Sequence, residues 1–206
     1  LYVSLSLLKV LQGSQADAVM AHEMAHFSGN DTLYSKKISP LLGRYQIYLG
    51  ALYAGGISLP IFYFMLCFRS LFEISLGRLS RQREFRADRI ASEVASPKDM
   101  AGALLKISAY GNYRGKVEDE LFQVEKVIDT LNIPQKVGDG FKEFACSFVK
   151  EGKASEAETA HPFDSHPPFE ERVKAVQAEM SVEEMLEVLQ ADPDARWYRN
   201  INRAEE

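Results

Sequence analysis

His22, Glu23 and His26 form the pattern that most constrains this chain: a histidine, a glutamate, two further residues and a second histidine. On a helix, residues four apart lie on one face, so both imidazoles can bind one metal ion. Glu23 follows the first histidine, and its carboxylate can reach a water in the open position of that metal. The pattern therefore predicts a helix that carries a catalytic zinc site, with Glu23 as the general base.

The flanking residues predict where this helix begins and ends. Ser14 is a good N-cap and Asp17 stands three residues later, which is the spacing of a capping box. Gly29 is a typical stop after the last turn, so we expect a helix from about Gln15 to Ser28. The alternative is a chance match to a short pattern, and the helical context favours the metal site.

The third ligand decides what kind of zinc site the chain can build. Thr32 occupies the position that would complete the longer pattern HExxHxxGxxH, and threonine cannot replace a histidine ligand there. After Asp31, which is one residue out of register, no acidic residue appears until Glu73. Glu73 and Glu84 are the remaining candidates. On one helix they lie about 16 Å apart, so only one of them can reach the metal.

Glu84 is the stronger candidate because Asp88 follows it by one helical turn. A carboxylate in that position can accept a hydrogen bond from the free ring nitrogen of a ligating histidine, which fixes the tautomer of that ring. The alternative is a solvated helix face on which Glu84 and Asp88 pair with Arg81 and Arg83. The histidine pattern upstream and the lack of a rival ligand favour the metal site.

Three stretches of this chain resemble the HtpX-like and CAAX prenyl protease family of membrane-associated zinc peptidases. The first is the run into the histidine pattern, residues 17–26, and the second is residues 80–88, which end in Glu-Phe-Arg-Ala-Asp. The third, Ser165 to Arg172, resembles the late S-H-P-P-x-x-E-R element of that family. The resemblance runs from about Leu1 to Val176, and three motifs in the same order make it specific.

The resemblance implies one zinc ion and a role for each matching residue. Glu23 is the general base, and Asp88 supports a ligand. His166 is an active-site histidine near the open zinc position, able to donate to the developing oxyanion. Arg172 either stabilises the active-site loop or pairs with a neighbouring glutamate. The implied zinc ligands are His22, His26 and Glu84.

The implied fold is zincin-like, α+β but mainly helical, in a single domain that covers residues 1–206. Leu1 to Leu5 are predicted to form a strand at the edge of a small sheet, and such an edge can pair with an extended peptide. Residues 191–206 form a tail. Because family members have sequence ahead of the metal helix, we expect that the chain lacks an N-terminal portion.

The 24 residues from Tyr45 to Phe68 contain no charged side chain. As one helix they would span about 36 Å, which exceeds the roughly 30 Å hydrocarbon core of a bilayer. One straight crossing would place His26 and Glu84 on opposite sides of the membrane, although both must reach one metal ion. The run is therefore not expected to be a single transmembrane helix.

A break between Gly55 and Pro60 resolves this conflict, because the glycines and the proline there disfavour a continuous helix. It leaves two halves of about 12 residues, each too short to cross a bilayer alone. We therefore expect a hydrophobic helical hairpin at residues 45–68 that dips into a membrane or packs on its surface, with residues such as Phe62 and Phe64 facing outward. The alternative is a helix pair buried in a soluble domain.

Composition limits the partners. The net charge of −5 gives no sign of nucleic-acid binding, and Cys67 and Cys146 provide no disulfide framework.

We expect a zinc-dependent metalloendopeptidase that acts on protein or peptide substrates and associates with membrane lipid. Two other classes stay open: a peptide-binding or chaperone-like module that does not cut, and a membrane-associated interaction protein with structural zinc. The intact Glu23 and the open coordination position argue against them.

Overall fold

The computed structural model describes residues 4–28, 31–123, 133–152, 167–193 and 199. Within these ranges the chain is mainly helical and has no β-strand. The predicted strand falls mainly outside them, and Leu5 begins the first helix. Most of the predicted tail also lies outside them. The helices are α1 (Leu5–Leu8), α2 (Gly13–Ser28), α3 (Asp31–Ala54), α4 (Leu59–Val94), α5 (Pro97–Gln123), α6 (Ile133–Lys150), α7 (Phe169–Ala175) and α8 (Val182–Gln190).

α2 carries the histidine pattern and begins slightly earlier than predicted, at Gly13. The expected Ser14 cap is wrong, because the Ser14 hydroxyl lies in the first turn and donates to Asp99 Oδ1 at 2.7 Å. Instead, the amide of Gln12 donates to the side-chain oxygen of Gln15 at 2.9 Å, which is the backward reach of a capping box. Asp99 belongs to the first turn of α5, so the hydrogen bond from Ser14 joins the first turn of α2 to the first turn of α5.

α3 and α4 form an antiparallel hairpin around a turn at residues 55–58, inside the interval predicted for the break. Gly56 has a φ of 61°, a left-handed conformation that glycine adopts without strain. The Tyr45 hydroxyl on one arm donates to the Met65 carbonyl on the other at 2.6 Å. The arms extend well beyond the predicted halves, since α3 has 24 residues and α4 has 36. Each helix is therefore long enough to cross a bilayer, at about 36 and 54 Å.

The outer surface of this hairpin is apolar and exposed. Phe64 is 72% exposed. Phe62 differs from the expectation, because it is only partly exposed and lies against Tyr53 with ring centroids 5.3 Å apart. Among the described helices, α4 alone has the length and composition to cross a membrane. The exposure contradicts the alternative of a helix pair buried in this chain. Other exposed side chains of the hairpin surface are Ile47, Tyr48, Ile57, Ile61, Tyr63, Phe68 and Leu71.

The hydrophobic core forms around α5, which packs against α2, α4, α6, α7 and α8. Its buried residues include Leu105 and Ala109 of α5, Phe148 of α6 and Leu189 of α8. One charged side chain lies among them, since Lys106 is 1% exposed and its ammonium has no hydrogen-bond partner within the described residues. α5 thus supports the helices that carry the histidine pattern and the later acidic residues.

Candidate metal centre

α2 and α4 pack together and bring His22, His26 and Glu84 to one point. The Nε2 atoms of the two histidines are 3.2 Å apart. Oxygens of Glu84 lie 3.6 Å from His22 Nε2 and 3.5 Å from His26 Nε2. His22 and Glu84 are buried, and His26 is partly exposed. Three side chains from two helices therefore converge with their ligand atoms facing one another.

These spacings fit a tetrahedral zinc ion. Ligand atoms at about 2.0–2.2 Å from zinc lie about 3.3–3.6 Å from each other in a tetrahedron, close to the three distances above. The donor set is also suitable, because two imidazole nitrogens and one carboxylate leave a fourth position for water or substrate. The residues present therefore fit a single catalytic zinc ion.

The structure separates the two carboxylates that were alternatives for the third position. Glu73 lies within the hairpin helix and accepts a hydrogen bond from Arg69 Nε at 2.7 Å. Glu84 instead faces the two histidines, and Asp88 lies one turn beyond it. Both Glu84 and Asp88 are buried, so they do not form a solvated helix face.

Asp88 lies behind the first histidine and is fully buried. Its Oδ1 is 2.9 Å from His22 Nδ1, a contact that favours the ring proton on Nδ1 and leaves the Nε2 lone pair free for a metal. Burial alone raises the pKa of Asp88. The hydrogen bonds from Arg172, the close approach of His22 and the charge of Arg172 outweigh burial and hold the pKa of Asp88 below its usual value of 3.8. Asp88 is therefore an ionised carboxylate inside the protein.

Arg172 connects α7 to this centre. It donates two hydrogen bonds to Asp88, at 2.8 Å from Nε and 2.6 Å from Nη2. Its Nη2 is also 3.5 Å from a Glu84 oxygen. Arg172 therefore contacts both buried carboxylates of the centre, and its role stays a prediction. His166 lies outside the described residues, and its role stays a prediction. Pro167, the next residue, lines the cavity described below.

The three converging side chains open into a cavity of about 650 Å³. Glu23 lines the same cavity, directly after His22 on α2. The sequence did not identify the wall that α5 adds to it. The helical spacing of these residues is visible in the sequence, but the same spacing describes a helix face packed in a core. The α5 residues that line the cavity are Met100, Leu104, Ile107, Ser108, Gly111 and Asn112.

The converging side chains form a candidate metal centre with the donor set of a zincin-type peptidase: two histidines on one helix, with a glutamate beside the first, and a buried glutamate on a later helix. Residues 1–180 match peptidase family M48, so the chain belongs to that family. The family resemblance inferred from the three sequence motifs is thereby confirmed.

The relatives that match this chain include proteases named HtpX. Protease HtpX of Histophilus somni is 26% identical over 187 residues, covering 84% of this chain and 56% of the relative. Protease HtpX of Aeromonas hydrophila is 28% identical over 194 residues, covering 84% and 57%. The Protease HtpX homolog of Nitrosomonas eutropha is 26% identical over 191 residues, covering 85% and 56%. The chain thus spans a little over half the length of these relatives. No solved structure matches it.

Proposed function

We propose that this chain forms the catalytic centre of a zinc-dependent metalloendopeptidase that hydrolyses peptide bonds in protein substrates at a membrane. The observation that carries the proposal is the convergence of His22, His26 and Glu84, whose ligand atoms lie within 4.8 Å of one another. Glu23 lines the same cavity. Membership of peptidase family M48 and the likeness to HtpX proteases support the same activity.

One Zn²⁺ ion is the cofactor, held by the three converging side chains. When bound, it polarises a peptide carbonyl and lowers the pKa of a water. Glu23 accepts a proton from the attacking water and passes it to the leaving amine. Asp88 keeps the His22 proton on Nδ1, and Arg172 keeps Asp88 ionised. His166 donates to the oxyanion that develops on the substrate.

The exposed hairpin surface supports membrane lipid as a partner. An apolar surface of this kind on a monomer marks a contact with another protein or with lipid, and α4 has the length and composition of a membrane helix. The small sheet edge that the family resemblance implies stays a prediction, and Leu5 takes no part in it because Leu5 begins α1.

Peptide hydrolysis measured with zinc, with a chelator and after zinc is restored tests the proposal. Glu23→Gln keeps the shape of the side chain but cannot accept a proton. We therefore expect turnover to fall by at least about 100-fold, while zinc stays bound by direct metal analysis. Glu73→Gln is the matched control, since Glu73 pairs with Arg69 away from the cavity.

The outcomes separate the proposed classes. Near-normal hydrolysis by zinc-loaded Glu23→Gln removes Glu23 from the mechanism. If the zinc-loaded wild type binds peptides but does not hydrolyse them, the chain is a peptide-binding module and not a peptidase. Full hydrolysis in the presence of chelator excludes a metal-dependent enzyme.

A further inference from the structure

One face of α5 lines the cavity over about three helical turns. Leu104 and Ile107 supply the apolar part of this wall, and Val19 of α2 and Phe169 of α7 line the cavity with them. Leu104 and Phe169 are buried, so they form the closed part of the cavity. The small or polar residues of the same α5 face are Ser108, Gly111 and Asn112.

This wall carries no charge among the lining residues that the structure describes. The charged residues of the lining are Glu23, Glu84 and Arg172, which belong to the metal centre. An apolar side chain buried against Leu104 gains free energy in proportion to the area removed from water. A charged side chain buried there loses its hydration without gaining a partner. The wall therefore favours an apolar group.

Gly111 leaves part of this wall open. Gly111 is an exposed residue of the cavity lining, and a Cβ atom built on it has no heavy atom within 4 Å, so the space beside it is open. Glycine inside a helix costs about 1 kcal/mol relative to alanine, and the packing around Gly111 does not require it. Gly115, one turn later on α5, has equally open surroundings but does not line the cavity. The two glycines thus differ in whether a side chain would fill the cavity.

We infer that the α5 wall is the subsite for a large apolar side chain of the substrate next to the scissile bond, and that Gly111 sets the largest side chain it accepts. This inference rests on the proposed function, because it assigns a substrate class to the same cavity. Ile107 and Leu104 contact the side chain, and the open space beside Gly111 takes its far end. The substrates are therefore peptides with an aromatic or long aliphatic residue at one fixed position.

Quenched fluorescent peptides test this inference. Each peptide consists of alanine and serine except at one scanned position, which is Ala, Leu or Phe. Mass spectrometry identifies the bond that is cleaved. For the zinc-loaded wild type we expect kcat/KM to be at least about tenfold higher for the Phe peptide than for the Ala peptide. In Gly111→Leu this Phe-to-Ala ratio should fall by at least about tenfold, because the new side chain occupies the space. Gly115→Leu, the matched control, should keep the wild-type ratio.

Gly111→Leu and Gly115→Leu both replace a helical glycine with a better helix former, so both variants should fold. Equal ratios in the two variants overturn the inference, as does a wild type that cleaves the Ala peptide fastest. If the zinc-loaded wild type cleaves no peptide, the proposed function fails. In that case the subsite is tested alone, by fluorescence anisotropy of labelled Phe and Ala peptides. Weaker binding of the Phe peptide to Gly111→Leu, with Gly115→Leu unchanged, supports the subsite, and equal binding to both variants overturns it.

Discussion

Loss of the Arg172 charge should destabilise the protein far more than loss of a similar charge at its surface. The side chain of Asp88 is fully buried and that of Arg172 is 14% exposed, and they share two hydrogen bonds. Arg172→Met leaves Asp88 buried without its cation, which in other proteins costs about 3–5 kcal/mol. His22 stays 2.9 Å from Asp88 and can offset part of the charge. We therefore expect Arg172→Met to lower the free energy of unfolding by about 3 kcal/mol, the lower end of this range.

Arg114→Met is the matched control. Arg114 Nε binds Glu118 Oε1 at 2.7 Å, but the side chains are 49% and 34% exposed. An exposed pair at this helical spacing contributes about 0.3–0.5 kcal/mol. Both variants remove a guanidinium group at a similar hydrogen-bond distance, and they differ in burial and in the number of hydrogen bonds lost.

Urea unfolding followed by far-UV circular dichroism, at constant detergent and without zinc, measures both variants. With a slope of about 2 kcal/mol per molar urea, Arg172→Met should lower the midpoint by about 1.5 M and Arg114→Met by at most about 0.3 M. The double variant Asp88→Asn, Arg172→Met should cost less than the sum of its single variants, because neither buried partner is left alone. A loss below about 1 kcal/mol for Arg172→Met would refute the buried ion pair.

Other predictions concern the buried lysine, the hairpin and the zinc affinity. Burial, and then the charge of Lys142, lowers the pKa of Lys106 from 10.5 to about 8. The folded state therefore loses that proton before the unfolded state does, and stability should rise between about pH 8 and 10.5. Lys106→Met should abolish this rise and add up to about 3 kcal/mol at pH 7, as pH-dependent urea unfolding would show. Phe64→Ser should weaken flotation with phosphatidylcholine vesicles by about tenfold or more, while Val182→Ser, on an exposed site of α8, should not. Asp88→Asn should lower zinc affinity by about 10–100-fold in a chelator competition, and unchanged affinity would contradict its support of His22.

Much of the candidate metal centre was predictable because its determinants are local. His22 and His26 lie one turn apart, and so do Glu84 and Asp88, so each pair shares a helix face whatever the rest of the chain does. The choice of Glu84 over Glu73 also followed from the neighbouring Asp88. The break in the apolar run was predictable for the same reason, since glycine and proline act on the backbone where they stand.

The features that were missed depend on packing between distant segments. Ser14 satisfies the local rule for a cap, but Asp99 from another helix binds its hydroxyl and Gln15 takes over the capping. Phe62 and Phe64 belong to the same apolar run, and only the partner arm decides that Phe62 packs while Phe64 is exposed. The sequence did not predict that α5 lines the cavity, because apolar residues at helical spacing do not show whether that helix face packs in a core or lines a cavity.

The continuity of α4 has a geometrical consequence for substrate choice. Phe68, at the end of the uncharged run, and Glu84 lie on one uninterrupted helix, sixteen residues and therefore about 24 Å apart. If the hairpin is seated in a bilayer as proposed, α4 would hold the candidate metal centre at most about 24 Å above the lipid. A substrate anchored in the same membrane would then need at most about seven extended residues to reach that centre. The length of α4 would then select cleavage positions by their distance from the membrane, in addition to the selection by the side chains around the bond.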